Sequence, residues 1–184
     1  VGILDTMHSI RYGKGSYSGI HINRRNNVQV KNCNVVGFNR GITIEQSSQV
    51  TVRASTMERN NDIGMYLRGS SLNTLIGNTV RGNQQGIILD SASDRNTLEE
   101  NTVTDNFVVD GQVNMFGNGI TVKSSLGNTL RANSIKNNLF GIYLRLANSN
   151  VVEDNTVEGN QRHGIDLVLA DSNTIESNTI RGND

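Results

Sequence analysis

One phrase recurs along the chain: glycine, then an apolar residue, any residue, and a second apolar residue. It reads Gly19-Ile20-His21-Ile22, Gly41-Ile42-Thr43-Ile44, Gly64-Met65-Tyr66-Leu67 and Gly86-Ile87-Ile88-Leu89. It returns as Gly119-Ile120-Thr121-Val122, Gly141-Ile142-Tyr143-Leu144 and Gly164-Ile165-Asp166-Leu167. The glycines are separated by 22, 23, 22, 33, 22 and 23 residues, and the 33 is one period carrying an insertion. Self-similarity at a fixed period of this size marks a stacked repeat architecture, in which each unit buries its apolar face against its neighbour.

Each period holds two further short runs that alternate apolar with polar, such as Asn73-Thr74-Leu75-Ile76 and Asn78-Thr79-Val80. Alternation over three to five residues is a strand signal, and no segment sustains a helical period. Three short strands per period predict an all-β fold, a right-handed single-stranded parallel β-helix of about seven coils. Stacked at strand spacing, seven coils make a rod roughly 34 Å long. The 27 asparagines fall into columns. One is Asn73, Asn96, Asn128, Asn150, Asn173; another is Asn78, Asn101, Asn133, Asn155, Asn178; a third is Asn60, Asn83, Asn106, Asn138, Asn160, Asn183. Amides at strand spacing can bond the coils above and below, and asparagine tolerates left-handed corners. These columns are therefore expected to be structural ladders. The first coils carry Val28, Cys33, Phe38, Val50 and Ser55 there instead, which gives a more apolar interior with Cys33 as an inert core thiol.

With 184 residues the chain reads as one β-helix domain, 1–184, with 1–18 a degenerate first coil and 107–117 an insertion loop. Seventeen basic and seventeen acidic residues balance to zero, which argues against a general nucleic-acid binder. No apolar stretch approaches the roughly 20 residues of a membrane span. A single cysteine rules out an internal disulfide framework and paired-cysteine zinc sites. The missing initiator methionine and the stop at Asn183-Asp184 suggest a fragment or a processed form, uncapped at its C-terminal end.

The Asn-Thr-Leu/Ile, Asn-Thr-Val/Ile and Gly-Ile-x-Leu phrases resemble the right-handed parallel β-helix repeats of the carbohydrate-binding and sugar-hydrolase superfamily, which includes pectate lyases, alginate epimerases, tailspikes and periplasmic copper-accessory proteins. The segment Asn160-Gln161-Arg162-His163-Gly164 is similar to an Asn-x-Arg-His-Gly stretch of mannuronan C5-epimerases. That resemblance implies that Arg162 and His163 lie in a catalytic groove. Two coils earlier those enzymes carry Tyr-Gly-Phe-Asp-Pro-His-Glu, whereas this chain has Asn118-Gly119-Ile120-Thr121-Val122. The resemblance further implies an extracellular or periplasmic location.

In each phrase the apolar pair faces inward, so the residue between them and the one after face out. The first outward column is His21, Thr43, Tyr66, Ile88, Thr121, Tyr143, Asp166; the second is Asn23, Glu45, Arg68, Asp90, Lys123, Arg145, Val168. Lys123, Arg145, Arg162 and His163 should gather on coils five to seven beside Tyr143 and Asp166. Removing a proton next to a carboxylate requires a cation to neutralise that carboxylate, with a base and an acid to move protons. Lys123 or Arg145 suits the first role, Tyr143 or His163 the second. The expected catalytic set is thus Tyr143, His163, Arg162 and Lys123, with Arg145, Asp166, Tyr66 and Arg68 binding substrate.

The leading expectation is an acidic-polysaccharide binder with uronan C5-epimerase or lyase chemistry. The alternative is a non-catalytic structural, adhesive or assembly rod that binds glycan or protein, and a copper-accessory role is the weaker third. The histidines are not spaced as metal ligands. No cofactor is expected, although calcium on Asp90 with Asp94, or Asp105 with Asp110, is compatible with the sequence. The insertion, with Phe107 and Phe116, and the open end of the rod are candidate self-association surfaces; Phe140 is a candidate apolar wall for a sugar ring.

Overall fold

In the computed structural model, residues 17–106 and 117–184 are described in full, together with the backbone of four short strands, Gly2–Asp5, Ser9–Arg11, Val108–Val109 and Gln112–Val113. The chain winds as a right-handed parallel β-solenoid of about seven turns, with no helix among the described residues. Three sheets run the length of the rod, two of eight strands and one of seven. The seven-stranded sheet carries the glycine phrases, from Ser18–Asn23 through Ile63–Arg68 and Gln85–Asp90 to Ile120–Lys123, Ile142–Arg145 and Ile165–Val168. Coils are numbered here by these phrases, from Gly19 (one) to Gly164 (seven). The three residues after each glycine pair with their counterparts one coil away, as in Thr43 with Tyr66, and Thr121 with Tyr143.

The insertion contributes an antiparallel pair, Val108–Val109 with Gln112–Val113; its side chains, and hence its expected packing on the rod or against another chain, lie outside the described residues. Met7, His8, Asp110 and Met115 lie there too.

The interior is a stack of like residues. Ile42, Met65, Ile87, Ile120 and Ile142 form one fully buried column, and Ile44, Leu67, Leu89, Val122 and Leu144 another. Each is worth roughly 1.5–3 kcal/mol of burial. Met65 and Cys33 are inside as expected, and so is Met57; burial pushes the pKa of the Cys33 thiol up. Inward residues of coil seven, Ile175 (39% exposed) and Ile180 (49%), are more open than their counterparts deeper in the rod.

The asparagine columns do what the spacing predicts. Asn101 Nδ2 donates to Leu75 O at 2.9 Å and to Asn133 Oδ1 at 3.0 Å, while its Oδ1 accepts from the Asn78 backbone N–H at 3.0 Å. One amide thus satisfies several corner groups that would otherwise be buried without partners. Where the first coils lack asparagine, the same backbone N–H still finds an acceptor: Val50 donates to Asn73 Oδ1, Cys33 to Ser55 Oγ.

The glycine is the tightest point of each coil. A Cβ on Gly86 would collide with the carbonyl oxygen of Gly119 one coil on and would lie 2.7 Å from Val103 Cγ1. The phrase therefore begins with glycine because backbone and core approach it from two sides, not because of its torsion angles.

Candidate functional site

The outward side chains of the seven-stranded sheet enclose an open groove of about 400 Å³ running across coils two to six. Its floor is the first outward column, Tyr66, Ile88, Thr121 and Tyr143. One edge is formed by Asp90, Lys123 and Arg145, the other by residues that precede the glycines, Arg40, Gln85 and Asn118, with Asp62 beside them.

At the coil-three end, Tyr66 is held from three sides. Its hydroxyl donates to Asp90 Oδ2 at 3.4 Å, and the Arg40 guanidinium lies over its ring, 4.6 Å from the centroid. Arg40 is in turn 3.4 Å from Asp62 Oδ2. Burial, reinforced by the Asp90 charge, pushes the Tyr66 phenol above its usual range, so Tyr66 is a neutral hydrogen-bonding group. The next cation along the edge, Lys123, sits 3.9 Å from Asp90 Oδ1.

The coil-six end is built differently. Arg145 is exposed and has no carboxylate within ion-pairing distance among the described residues, and Arg162 has none either. Tyr143 packs against Phe140, with ring centroids 5.9 Å apart, and Phe140 meets the His163 imidazole edge-on at 5.9 Å. Arg162 stands over the other reach of the same ring, 5.6 Å from its centroid. Asp166 is the strand partner of Tyr143 on coil seven.

Two other depressions are internally neutralised. One, of about 450 Å³ at the corner of coils one to four, is lined by Arg68, Glu45 and Gln46. There Glu45 binds His21 at 2.9 Å and Arg68 at 3.8 Å. The other closes on Glu58. Burial alone would raise that carboxyl, but Arg81 and Arg59 bind it and hold it below the usual range.

The sequence matches the family described as "Right handed beta helix region" over residues 6–114 and 111–184. The chain belongs to this family. No curated protein matches this β-helix in sequence. Among solved structures it is similar to the periplasmic alginate epimerase AlgG (20% identity, TM-score 0.71), covering 80% of this chain and 34% of that one. It is also similar to the A-module of mannuronan C-5 epimerase AlgE6 of Azotobacter vinelandii (11% identity, TM-score 0.67; 86% and 57% covered). A third likeness is to the enzymatically active domain of the bacteriophage CBA120 tailspike protein 2 (16% identity, TM-score 0.69; 83% and 24% covered). At these identities the likeness is one of fold, and the β-helix spans about a third of AlgG's length.

Of the residues predicted from sequence, this β-helix brings Lys123, Tyr143, Arg145 and Tyr66 to one groove. Arg162 and His163 gather at its end around Phe140. Arg68 turns toward the corner depression instead. The expected single cluster is thus divided by Phe140, which stands between Tyr143 and His163, and the described residues hold no hydrogen bond joining Tyr143, His163 and Lys123. The outward column also needs a correction at two positions. Thr43 (2% exposed) and Thr121 (7%) are covered, because each is paired in register with a larger tyrosine, Tyr66 or Tyr143. Thr43 meets Ser18 Oγ at 2.6 Å and Thr121 accepts from Asn118 Nδ2 at 3.0 Å.

Sequence reasoning missed Arg40, Gln85 and Asn118. They are the residues just before the glycines; strict alternation would turn them inward, but the glycine and the residue after it both face the core, so the alternation breaks at the glycine and its predecessor turns outward. Of the sequence-compatible calcium pairs, Asp90 is engaged by Tyr66 and Lys123 and Asp94 Oδ1 by the Leu126 N–H at 2.7 Å, while Asp110 of the second pair lies outside the described residues. Among the described residues no three acidic, histidine or cysteine side chains converge on a metal-sized space. No described helix is long and apolar enough to cross a membrane.

Proposed function

We propose that this β-helix binds an acidic polysaccharide along the groove of its seven-stranded sheet, in an extracellular or periplasmic setting. The observation that carries the reading is the pair of guanidiniums without carboxylate partners, Arg145 and Arg162, flanking the Tyr143–Phe140–His163 aromatic row at one end of an open groove. An unpaired guanidinium is the group best suited to a carboxylate, which it can hold in two-point geometry. An aromatic ring beside it supplies the apolar surface that a sugar face packs against. The likeness in fold to the alginate epimerase AlgG and the mannuronan C-5 epimerase AlgE6 supports the substrate class.

Uronan chemistry at this end follows from the same groups. A base removes the proton next to the uronate carboxylate; Arg145 with Lys123 stabilises the negative charge that spreads onto it; Tyr143 and His163 are the groups that move protons. Return of a proton to the opposite face gives the epimer, and departure of the neighbouring glycosidic oxygen gives an unsaturated end.

The test is calorimetric binding of polymannuronate, polygalacturonate and glucuronan oligosaccharides at low and raised salt. Deuterium uptake and unsaturated ends are followed by NMR in heavy water. Salt-sensitive binding to at least one of the polymers is expected, with C5 exchange or unsaturated ends where chemistry follows. Absence of binding to every acidic glycan removes the reading. Binding without exchange or cleavage leaves the non-catalytic module, which the absence of a hydrogen bond between Tyr143 and His163 favours.

A further inference from the structure

The groove repeats one pair of outward side chains. Tyr66 and Arg68 on coil three occur again as Tyr143 and Arg145 on coil six, each following a buried residue of the same column. Three strand-to-strand steps, through Ile88 and Thr121, separate the two tyrosines. At roughly 4.8 Å per step they are about 14 Å apart along the rod. One coil step is close to the length of one pyranose in an extended glycan, so the tyrosines address sugars three residues apart.

The two places differ in charge. Around Tyr66 each cation already has a carboxylate: Arg40 has Asp62 at 3.4 Å, Arg68 has Glu45 at 3.8 Å and Lys123 has Asp90 at 3.9 Å. Asp62 and Asp90 themselves line the groove there, and Tyr66 is held as a neutral phenol between Arg40 and Asp90. Carboxylates accept hydrogen bonds from sugar hydroxyls and repel a uronate carboxylate, so this end suits a neutral sugar stacked on the tyrosine ring. Around Tyr143 the cations Arg145 and Arg162 have no such partner among the described residues, and they outnumber the one carboxylate beside that tyrosine in the sheet, Asp166, its strand partner on coil seven.

We infer that the groove takes a heteropolysaccharide in which uronates are interspersed among neutral sugars, with a uronate at Tyr143 and a neutral sugar at Tyr66. The inference rests on the acidic-polysaccharide reading and narrows it: a homopolymeric uronan would place a carboxylate beside Asp62 and Asp90. Like charges brought together in a groove cost enough to set the preference by about tenfold or more.

The experiment compares three oligosaccharides of equal length by titration calorimetry. One comes from polymannuronate, one from deacylated gellan, whose repeat carries a single glucuronate among neutral sugars, and one from cellulose. The gellan fragment is expected to bind about tenfold more tightly than polymannuronate, with cellulose fragments weaker than both. Asp62→Asn with Asp90→Asn is expected to raise polymannuronate affinity and bring the ratio toward one. Because the readout is a ratio within each folded variant, a general loss of stability does not mimic it. If polymannuronate binds as well as gellan fragments, or the ratio survives the double substitution, the inference is overturned while acidic-polysaccharide binding stands. If neither acidic polymer binds, or the cellulose fragment binds best, both fall.

Discussion

The Tyr-x-Arg pairs of coils three and six share sequence, strand position and column, yet their surroundings make them different groups. Arg68 leans toward Glu45 and away from the groove, while Arg145 stays within it without a carboxylate. Tyr66 lies under Arg40 and against Asp90; Tyr143 lies against Phe140. A solenoid repeats its backbone and its core, so neighbouring coils decide what a repeated surface residue does. Of the residues that tell the two places apart, Asp62 and Phe140 stand just upstream of each pair's own phrase, while Asp90, Arg162 and His163 come from the following coil.

The most drastic way to break the comparison is to remove what holds both pairs in place. A Cβ at Gly64 would strike Val80 Cγ1 and lie 3.0 Å from Gly86 O. At Gly141 it would strike Gly164 O and Val157 Cγ1 and lie 3.0 Å from Asn160 Nδ2. Gly64→Ala and Gly141→Ala are each expected to lower unfolding stability by about 3 kcal/mol or more, since both core and neighbouring backbone would have to move. Denaturant unfolding followed by circular dichroism measures this. Near-wild-type midpoints would mean that the coils are not stacked at this spacing.

The comparison itself is sharpened by substituting the two arginines. Arg145→Gln is expected to weaken binding of an acidic oligosaccharide about tenfold, as loss of a charge-assisted contact predicts. Arg68→Gln, which removes an exposed and already paired cation, is expected to change it by about twofold or less. Equal losses in calorimetry would erase the distinction between the two ends.

How much of this was legible beforehand follows from the same division between core and surface. The period, the three strands per coil, the ladders and the inward Cys33 and Met65 were readable because each depends on residues a fixed distance apart within the repeat. The membership of the groove was less readable. Arg40 and Asp62 lie upstream of the phrase that defines the period, and the covering of Thr43 and Thr121 depends on a tyrosine one coil away. The separation of Tyr143 from His163 depends on the rotamer of Phe140, which no spacing rule specifies. Ion-pair choice has the same character: Glu45, Arg68, Asp90 and Lys123 alternate in sign along their column, yet the close contacts are the separate pairs Glu45–Arg68 and Asp90–Lys123.

Tyr143→Phe isolates the hydroxyl at the cationic end. A single sugar hydrogen bond is worth about 0.5–1.5 kcal/mol, so affinity is expected to fall by about threefold, with the Phe140 contact retained. If Tyr143 moves a proton, the same variant loses C5 deuterium exchange while keeping most of its binding, and rate and affinity part company. Tyr66→Phe is expected to leave any exchange in place.

The smallest effect is read at high pH and concerns Tyr66 alone. Its folded pKa lies above the ordinary value near 10, first through burial and then through Asp90. For a phenol raised in this way the unfolded chain ionises first. The stability contributed by the neutral form is present below about pH 10 and is lost as pH rises through the folded pKa. Asp90→Asn removes one cause but not the burial, so Tyr66 should titrate at lower pH than in the native chain while staying above an exposed tyrosine; ultraviolet titration of tyrosinate, with Tyr66→Phe as the reference, resolves it. Tyr66→Phe should also flatten the fall of unfolding stability with pH across this window. A titration unmoved by Asp90→Asn would show that the carboxylate does not govern the phenol, and the contrast between a neutral, acid-lined end and a cationic one would lose its coil-three member.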